Sequence, residues 1–203
     1  MKKKNSTDLH DLYIKIKKDI KKELSPRRYK HSVETAKLAQ ALCLKYTVAS
    51  EKGLVAGIAH DIAREYSDDQ LVSIVQEQNL CDSEWGLRHP KVLHGIVGAY
   101  IVESRYGIGD PDILDAIRQH VAGAENMGML AKILFVADFC EPSRKYLEEM
   151  HRRELLQQPL DMMLFRVYGE IFAFLEIEKK PIAPISYEIY DKLRRKVAMD
   201  EKE

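Results

Sequence analysis

His60 and Asp61 stand side by side at the end of a run whose Leu54, Val55, Ile58, Ala59 and Ile62 have the spacing of one apolar helical face. At about 100° per residue, Asp61 falls at the edge of that face, close to Leu54 and Ile58. A carboxylate carried toward a core must be paired, hydrogen-bonded or bound to a cation. Arg64, three residues on, is the simplest partner, and for an isolated His-Asp pair that ion pair is the plainer reading. Other residues change the balance. His31, His94, His120 and Asp138 also lie on or beside inward stripes of separate helices: His120 joins Ile113, Ala116 and Ile117, and Asp138 flanks Leu134. Any one of them alone reads as a hydrogen-bonded core group. Several independent helical faces that each carry an imidazole or a carboxylate inward are better explained by one shared metal centre. Imidazoles and carboxylates without thiolates suit Fe, Mn, Co, Zn or Mg, and more than one carboxylate favours the harder of these.

Helices must deliver these groups, and the sequence marks them out. The first carries Leu9, Leu12, Tyr13, Ile16 and Ile20 on one stripe, with lysines opposite. Ser25-Pro26 reads as a cap and a first-turn proline, opening a helix to about Tyr46. Ser50 caps the helix that ends in His60-Asp61, and Ser67-Asp68-Asp69 opens a short one. His89-Pro90 precedes a helix with Leu93, Ile96, Val97, Tyr100 and Ile101 inward, stopped by Gly107 and Gly109. Asp110-Pro111 starts the helix of His120, broken at Gly123. The run Ala131 to Phe139 could be a buried strand by composition, but Leu130, Ile133, Leu134 and Ala137 keep helical spacing. Further helices are expected around 145–157, from about Leu160 to Lys179, and from about Ser186 to Ala198. No segment alternates like a strand, so the expected class is all-α.

Composition narrows the function. The chain has 203 residues, enough for one large domain, and only 10 glycines and 7 prolines, as long helices require. Lys+Arg and Asp+Glu both number 32, so a wholesale electrostatic grip on nucleic acid is disfavoured and any phosphate binding must be local. Cys43, Cys81 and Cys140 are odd in number and lack CxxC spacing, which fits neither a disulfide framework nor a thiolate zinc site and reads as cytoplasmic. The basic start MKKKNSTDLHDLYIKIKKDIKK has no apolar stretch after it, and no run approaches the ~18 apolar residues of a membrane span. An amphipathic stripe on the first or last helix could serve a homodimer or the chain's own core.

The order His31, His60-Asp61, Asp138 is the H…HD…D pattern of metal-dependent phosphohydrolases. The segments RRYKHSVETA, AGIAHDIAREYSDDQL, HPKVLHGIVGAYIVE, DILDAIRQHVAG and LAKILFVADFCEPSR closely resemble the YqeK-type family, the HD-domain symmetrical bis(5'-nucleosyl)-tetraphosphatases, from about Asp19 to Tyr190. That resemblance implies a single helical HD domain over 1–203, with a basic N-terminal helix and a charged C-terminal tail. It further implies an iron-type metal centre and hydrolysis of diadenosine tetraphosphate to two ADP.

Carried over by position, the resemblance makes His31, His60, Asp61 and Asp138 the metal ligands, with Asp61 also orienting the attacking water. His94 and His120 match histidines that face the phosphates, or that complete a second metal site. Arg27, Arg28, Lys30, Arg64 and Arg144 match basic groups around the nucleotide, and Asp138, Val121 and the segment Pro181, Ile182, Ala183, Pro184, Ile185 and Ser186 fall where the nucleotide is touched. Guanidinium forks and ammonium charges suit phosphate oxygens. Two departures bear on base recognition rather than the metal. Val121-Ala122 stands where hydroxyl residues are common, and aliphatic Ile185 where relatives often carry a polar group. His89 reads as a helix-entry residue, Trp85 as a packing residue, and Cys140 as a thiol with no base to activate it. His10 and His151 receive no functional reading. The alternatives are an HD phosphohydrolase for another nucleotide and a nucleotide-binding regulatory module without turnover.

Overall fold

Capping chemistry sets most element boundaries in the computed structural model, which describes residues 8–81 and 83–200. Ser25 Oγ accepts the Arg28 amide with Pro26 in the first turn, Ser67 and Gln70 form a capping box, and Asp110 accepts from Asp112 and Ile113. Gly107 takes the left-handed conformation that ends its helix, at φ 69°. The resulting helices are α1 Leu9–Glu23, α2 Pro26–Lys45, α3 Ser50–Ala59, α4 Asp68–Glu77, α5 Glu84–Arg88 and, after a 3-10 turn Pro90–Leu93, α6 His94–Tyr106. Then follow α7 Pro111–Gln119, α8 Met129–Cys140, α9 Glu149–Gln157, α10 Leu160–Ile177 and α11 Pro184–Asp200. Every regular element among the described residues is helical, so the all-α expectation holds. The lysines at 2–4 and the charged residues 201–203 lie outside the described residues.

Several boundaries differ from the sequence reading. Ser50 is the first residue of α3 rather than its cap. That helix stops at Ala59, so His60 and Asp61 sit in three-residue turns beyond it, closed by Ile62 N to Ala59 O at 3.0 Å and Arg64 N to Asp61 O at 2.9 Å. Tightening from four-residue to three-residue bonds re-aims the side chains that follow. Helix α5 was not anticipated, because five residues with a central glycine show no period. Likewise α9 starts only at Glu149, and α11 starts two residues early because Pro184 suits a first turn.

Both amphipathic stripes serve the chain's own core: Leu12, Tyr13, Ile16 and Ile20 of α1 are buried, as are Ile189, Leu193 and Val197 of α11. At the centre lies α8, buried at Leu130, Ala131, the run 133–137 and Cys140, as expected of a helix apolar almost all round. A smaller cluster of Ala63, Leu71, Val75, Leu93 and Val97 joins α4 to the start of α6. Among the described residues no helix is long and apolar enough to cross a membrane.

Two glycines let backbones touch where the site will form. A Cβ on Gly57 would lie 2.5 Å from Ala36 Cα, and one on Gly95 would lie 2.9 Å from Arg118 O. The first contact presses α3 onto α2; the second presses the start of α6 onto the end of α7. Alanine is intrinsically about 1 kcal/mol better than glycine inside a helix. Overpacking against rigid backbone costs roughly 1–3 kcal/mol and opposes that gain. Gly57→Ala is therefore expected to destabilise the fold by about 1–2 kcal/mol, read by urea unfolding; a stabilised variant would show that α2 and α3 are free to separate.

Candidate metal centre

Each imidazole is oriented from behind. His60 Nδ1 lies 2.7 Å from Gly57 O, His94 Nδ1 2.6 Å from Lys91 O and His120 Nδ1 2.7 Å from Ile117 O, in each case a carbonyl three residues back. A carbonyl only accepts, so each Nδ1 carries the proton. His31 Nδ1 donates to Glu141 Oε1 at 3.0 Å. All four Nε2 lone pairs therefore point inward, and they meet in pairs: His31 and His60 Nε2 are 3.1 Å apart, and His94 and His120 Nε2 are also 3.1 Å apart. Two lone pairs cannot bond to each other. Each pair calls for a proton or a cation.

Carboxylates complete the cluster. Asp138 Oδ1 lies 2.9 Å from His31 Nε2 and 3.5 Å from His60 Nε2. Asp61 spans both pairs, with Oδ2 3.6 Å from the Nε2 atoms of His31 and His60, and Oδ1 3.3 Å from His94 and 3.7 Å from His120. Two groups, His31–His60–Asp138 and His60–Asp61–His120, each offer ligand atoms within 4.8 Å of one another. Their chemistry fits a divalent cation, with imidazole Nε2 atoms turned inward by the bonds at Nδ1 and two carboxylates beside them.

Electrostatics keep those carboxylates charged. Burial alone would raise the Asp61 pKa, but the adjacent imidazoles of His60, His120 and His94 hold it well below the usual range. Asp138 is treated alike by His31, His60 and Arg144. Burial works against a charged His31, yet Asp138 and Glu141 outweigh it and raise its pKa to about 8. Burial keeps His94 below its ordinary value. Arg28 Nη1 bonds Asp61 Oδ2 at 2.9 Å, and Arg144 Nη2 bonds Asp138 Oδ1 at 2.7 Å. The partner of Asp61 is thus Arg28, not Arg64. The Arg64 side chain makes no hydrogen bond or ion pair among the described residues and lines a cleft over the cluster.

A cleft of about 540 Å3 opens over the cluster, with Asp61, His94, His120 and Asp138 on its floor. Arg27, Arg28, Arg64, Arg144 and Val121 reach it, and its far wall is Phe135, Phe139, Ile171, Phe174 and Leu175. Lys30 lies instead on an adjoining cleft with Arg27, Arg28 and Arg144. The segment Pro181 to Ser186 does not line either wall: it packs behind the turn after α7, with Ser186 Oγ donating to Ala122 O at 2.8 Å. Buried Cys140 has its thiol pushed up to about 12, and His89 packs tilted against Trp85 with ring centroids 4.6 Å apart; neither lines the cleft.

Sequence reasoning missed Glu141, whose carboxylate is buried and held by His31 and by the Ser143 amide and hydroxyl at 2.6 Å each. Its signal was the three-residue spacing from Asp138 in ADFCEPSR. It also missed the α10 wall, where Ile171, Phe174 and Leu175 read as one more core stripe. Glu170 on that wall accepts from His151 Nε2 at 2.7 Å, a partner invisible from spacing alone.

The sequence model of the HD domain matches residues 28–143, which include His31, His60, Asp61, His94, His120, Asp138 and Glu141. The symmetrical bis(5'-nucleosyl)-tetraphosphatase of Bacillus subtilis is 30% identical over 172 residues, 85% of this chain and 92% of that protein. A protein of the same name from Halalkalibacterium halodurans is 30% identical over 174 residues, 86% and 92% of the respective chains. A crystal structure from Clostridium acetobutylicum, described as an HD superfamily hydrolase involved in NAD metabolism, superposes with a TM-score of 0.83 at 28% identity, covering 91% of this chain and 97% of that one.

His60→Ala and Asp61→Ala are each expected to lose bound metal while keeping most helix, since Leu54, Ile58 and Ile62 still pack. Glu141→Gln removes only the charge behind His31 and should weaken metal affinity about 10- to 100-fold. Elemental analysis with far-UV circular dichroism checks both; wild-type metal content in the His60 and Asp61 variants would dismiss this centre.

Proposed function

The chain belongs to the HD-domain family and to its symmetrical bis(5'-nucleosyl)-tetraphosphatases, and on that footing we propose that it is a metal-dependent hydrolase cleaving diadenosine tetraphosphate into two ADP. One observation carries the reading: paired imidazoles and aspartates needing a cation form the floor of a cleft whose mouth holds Arg28, Arg64 and Arg144. A polyphosphate is the ligand that a cation below and guanidinium groups above would hold together.

In this reading His31, His60, Asp61 and Asp138 hold the first cation. We take iron as its identity, with Mn, Co, Mg and Zn as the alternatives that the same donors accept. A divalent ion bound there supplies activated water near neutral pH and withdraws charge from phosphoryl oxygens. The chain's own residues do the rest. Arg64, half-buried and without an ion-pair partner among the described residues, grips phosphate oxygens with Arg28 and Arg144. Asp61 Oδ2 is engaged by Arg28, so Oδ1, facing His94 and His120, is the oxygen that accepts the attacking water's proton-bearing edge and orients it. His94 and His120, which share a proton or hold a second cation, stabilise the charge that grows on the phosphoryl oxygens. The apolar wall excludes water and receives a nucleoside, fixing which phosphorus stands over the floor. The segment Pro181 to Ser186 supports this indirectly, by holding the turn that carries Val121.

His94→Ala and His120→Ala should lower turnover about 100- to 1,000-fold while the first cation stays bound. Chromatography of the products of diadenosine tetraphosphate decides the bond broken. ADP alone is expected; equal ATP and AMP would refute symmetrical cleavage, and no hydrolysis with any of the candidate metals would favour another nucleotide or a binding module.

A further inference from the structure

The apolar-walled cleft accounts for half of a dinucleoside tetraphosphate. Beside it lies a second cleft of about 570 Å3, close in volume to the first at about 540 Å3. The two share Arg27, Arg28, Arg144 and Tyr146, and they meet at the metal centre, with His31 on the second and Asp61, His94, His120 and Asp138 on the first.

Its chemistry is different. Lys30 and Lys145 add two ammonium groups to the shared guanidinium groups, and the side chains of both lysines and of Arg27 make no hydrogen bond or ion pair among the described residues. Glu141, the carboxylate on this wall, is buried and engaged by His31 and Ser143, so it does not neutralise them. Unpaired cations gathered on a concave surface repel one another and focus a positive potential outward. Arg144 and Arg28 hold Asp138 and Asp61 at the boundary and serve the phosphates over the floor, so Arg27, Lys30 and Lys145 are the cations of this cleft whose side chains have no protein partner among the described residues. Tyr146 is the aromatic side chain on this wall, an exposed residue with the Arg144 guanidinium 5.8 Å from its ring centroid and its hydroxyl donating to Phe139 O at 3.1 Å.

We infer that this second cleft binds the departing nucleoside diphosphate half of the substrate, through its phosphates on Arg27, Lys30 and Lys145 and its nucleoside against Tyr146. The inference rests on the hydrolase reading above, because only a two-ended polyphosphate would bridge both clefts across the centre. With one tethered ring and no apolar wall, this cleft holds its half by charge more than by base.

Isothermal titration of the metal-loaded full chain with ADP, and initial rates on diadenosine tetraphosphate at several salt concentrations, test it on wild type and on Lys30→Glu/Lys145→Glu. Both lysines are exposed, so the variant should keep its circular dichroism spectrum. Wild type is expected to bind two ADP per chain and the variant one, with the tighter site unchanged. The variant's kcat/KM should fall about tenfold and depend less steeply on salt, since the lost attraction is screened charge. A single ADP on wild type, or an unaltered rate and salt slope in the variant, overturns the second cleft while leaving the hydrolase. Two ADP on wild type and one on the variant, without hydrolysis by either, supports the cleft and removes the hydrolase reading.

Discussion

Two pairs of imidazole lone pairs aimed at each other across 3.1 Å are the constraint around which this molecule is organised. Such an arrangement is unfavourable until a positive charge enters, because nitrogen acceptors repel and neither can rotate to donate. Rotation is prevented by the Nδ1 bonds to Gly57 O, Lys91 O, Ile117 O and Glu141. Three of those acceptors are carbonyls near the ends of helical turns, where backbone oxygens lack intrahelical partners. The ends of α3 and α7 and the turn before α6 therefore orient the ligands with groups that helix formation leaves spare.

Holding five separate chain segments to this tolerance requires contacts that cannot slide. Long apolar side chains adapt, but backbone against backbone does not, and Gly57 on Ala36 and Gly95 on Arg118 supply such contacts directly behind His60 and His94. Asp138 comes from the central α8, and its neighbours Leu134 and Ala137 are fully buried, so its carboxylate is fixed by packing on one side and by Arg144 on the other. The two arginines make the cluster tolerable without a ligand. Arg28 bonds Asp61 Oδ2 and Arg144 bonds Asp138 Oδ1, the oxygens that also stand beside His31 and His60, so each buried carboxylate has a fixed cationic partner.

Elements and the inward placement of the clustered imidazoles and carboxylates were legible in the sequence because both rest on local rules. Caps at Ser25, Ser67 and Asp110 and the stop at Gly107 follow from side-chain and φ preferences, and the placement of His31, His94, His120 and Asp138 follows from helical period. What escaped depended on long-range geometry. Spacing offered Arg64 as the plain ion-pair partner of Asp61, but the helix ends at Ala59 and the guanidinium that pairs with it is Arg28, 33 residues away. Ile171, Phe174 and Leu175 have the period of a core stripe, and only the fold shows that part of it faces a cleft. Pro181 to Ser186 carries the resemblance of a nucleotide contact, and its bond from Ser186 Oγ to Ala122 O, 64 residues away, is one that spacing does not reveal.

A symmetric molecule bound to an asymmetric site must give its two halves different treatment, and in the proposed pair of clefts the difference has a physical use. The half against Phe139, Phe174 and Ile171 is positioned by shape and by burial, which vary little with salt. The other half is held by exposed cations, whose grip is screened and short-lived. Hydrolysis of the central bond leaves the bridging oxygen on one half and places the water's oxygen on the other, so two anionic phosphate ends stand where one bridge stood, adding charge on both sides of Arg28 and Arg144. Repulsion across that boundary acts on whichever half is less firmly placed, so the charge-held ADP leaves first and opens the route to the floor. Uniformly tight clefts would bind both products and stall; one shape-selective and one electrostatic cleft separate alignment of the scissile phosphorus from release of what is cut away.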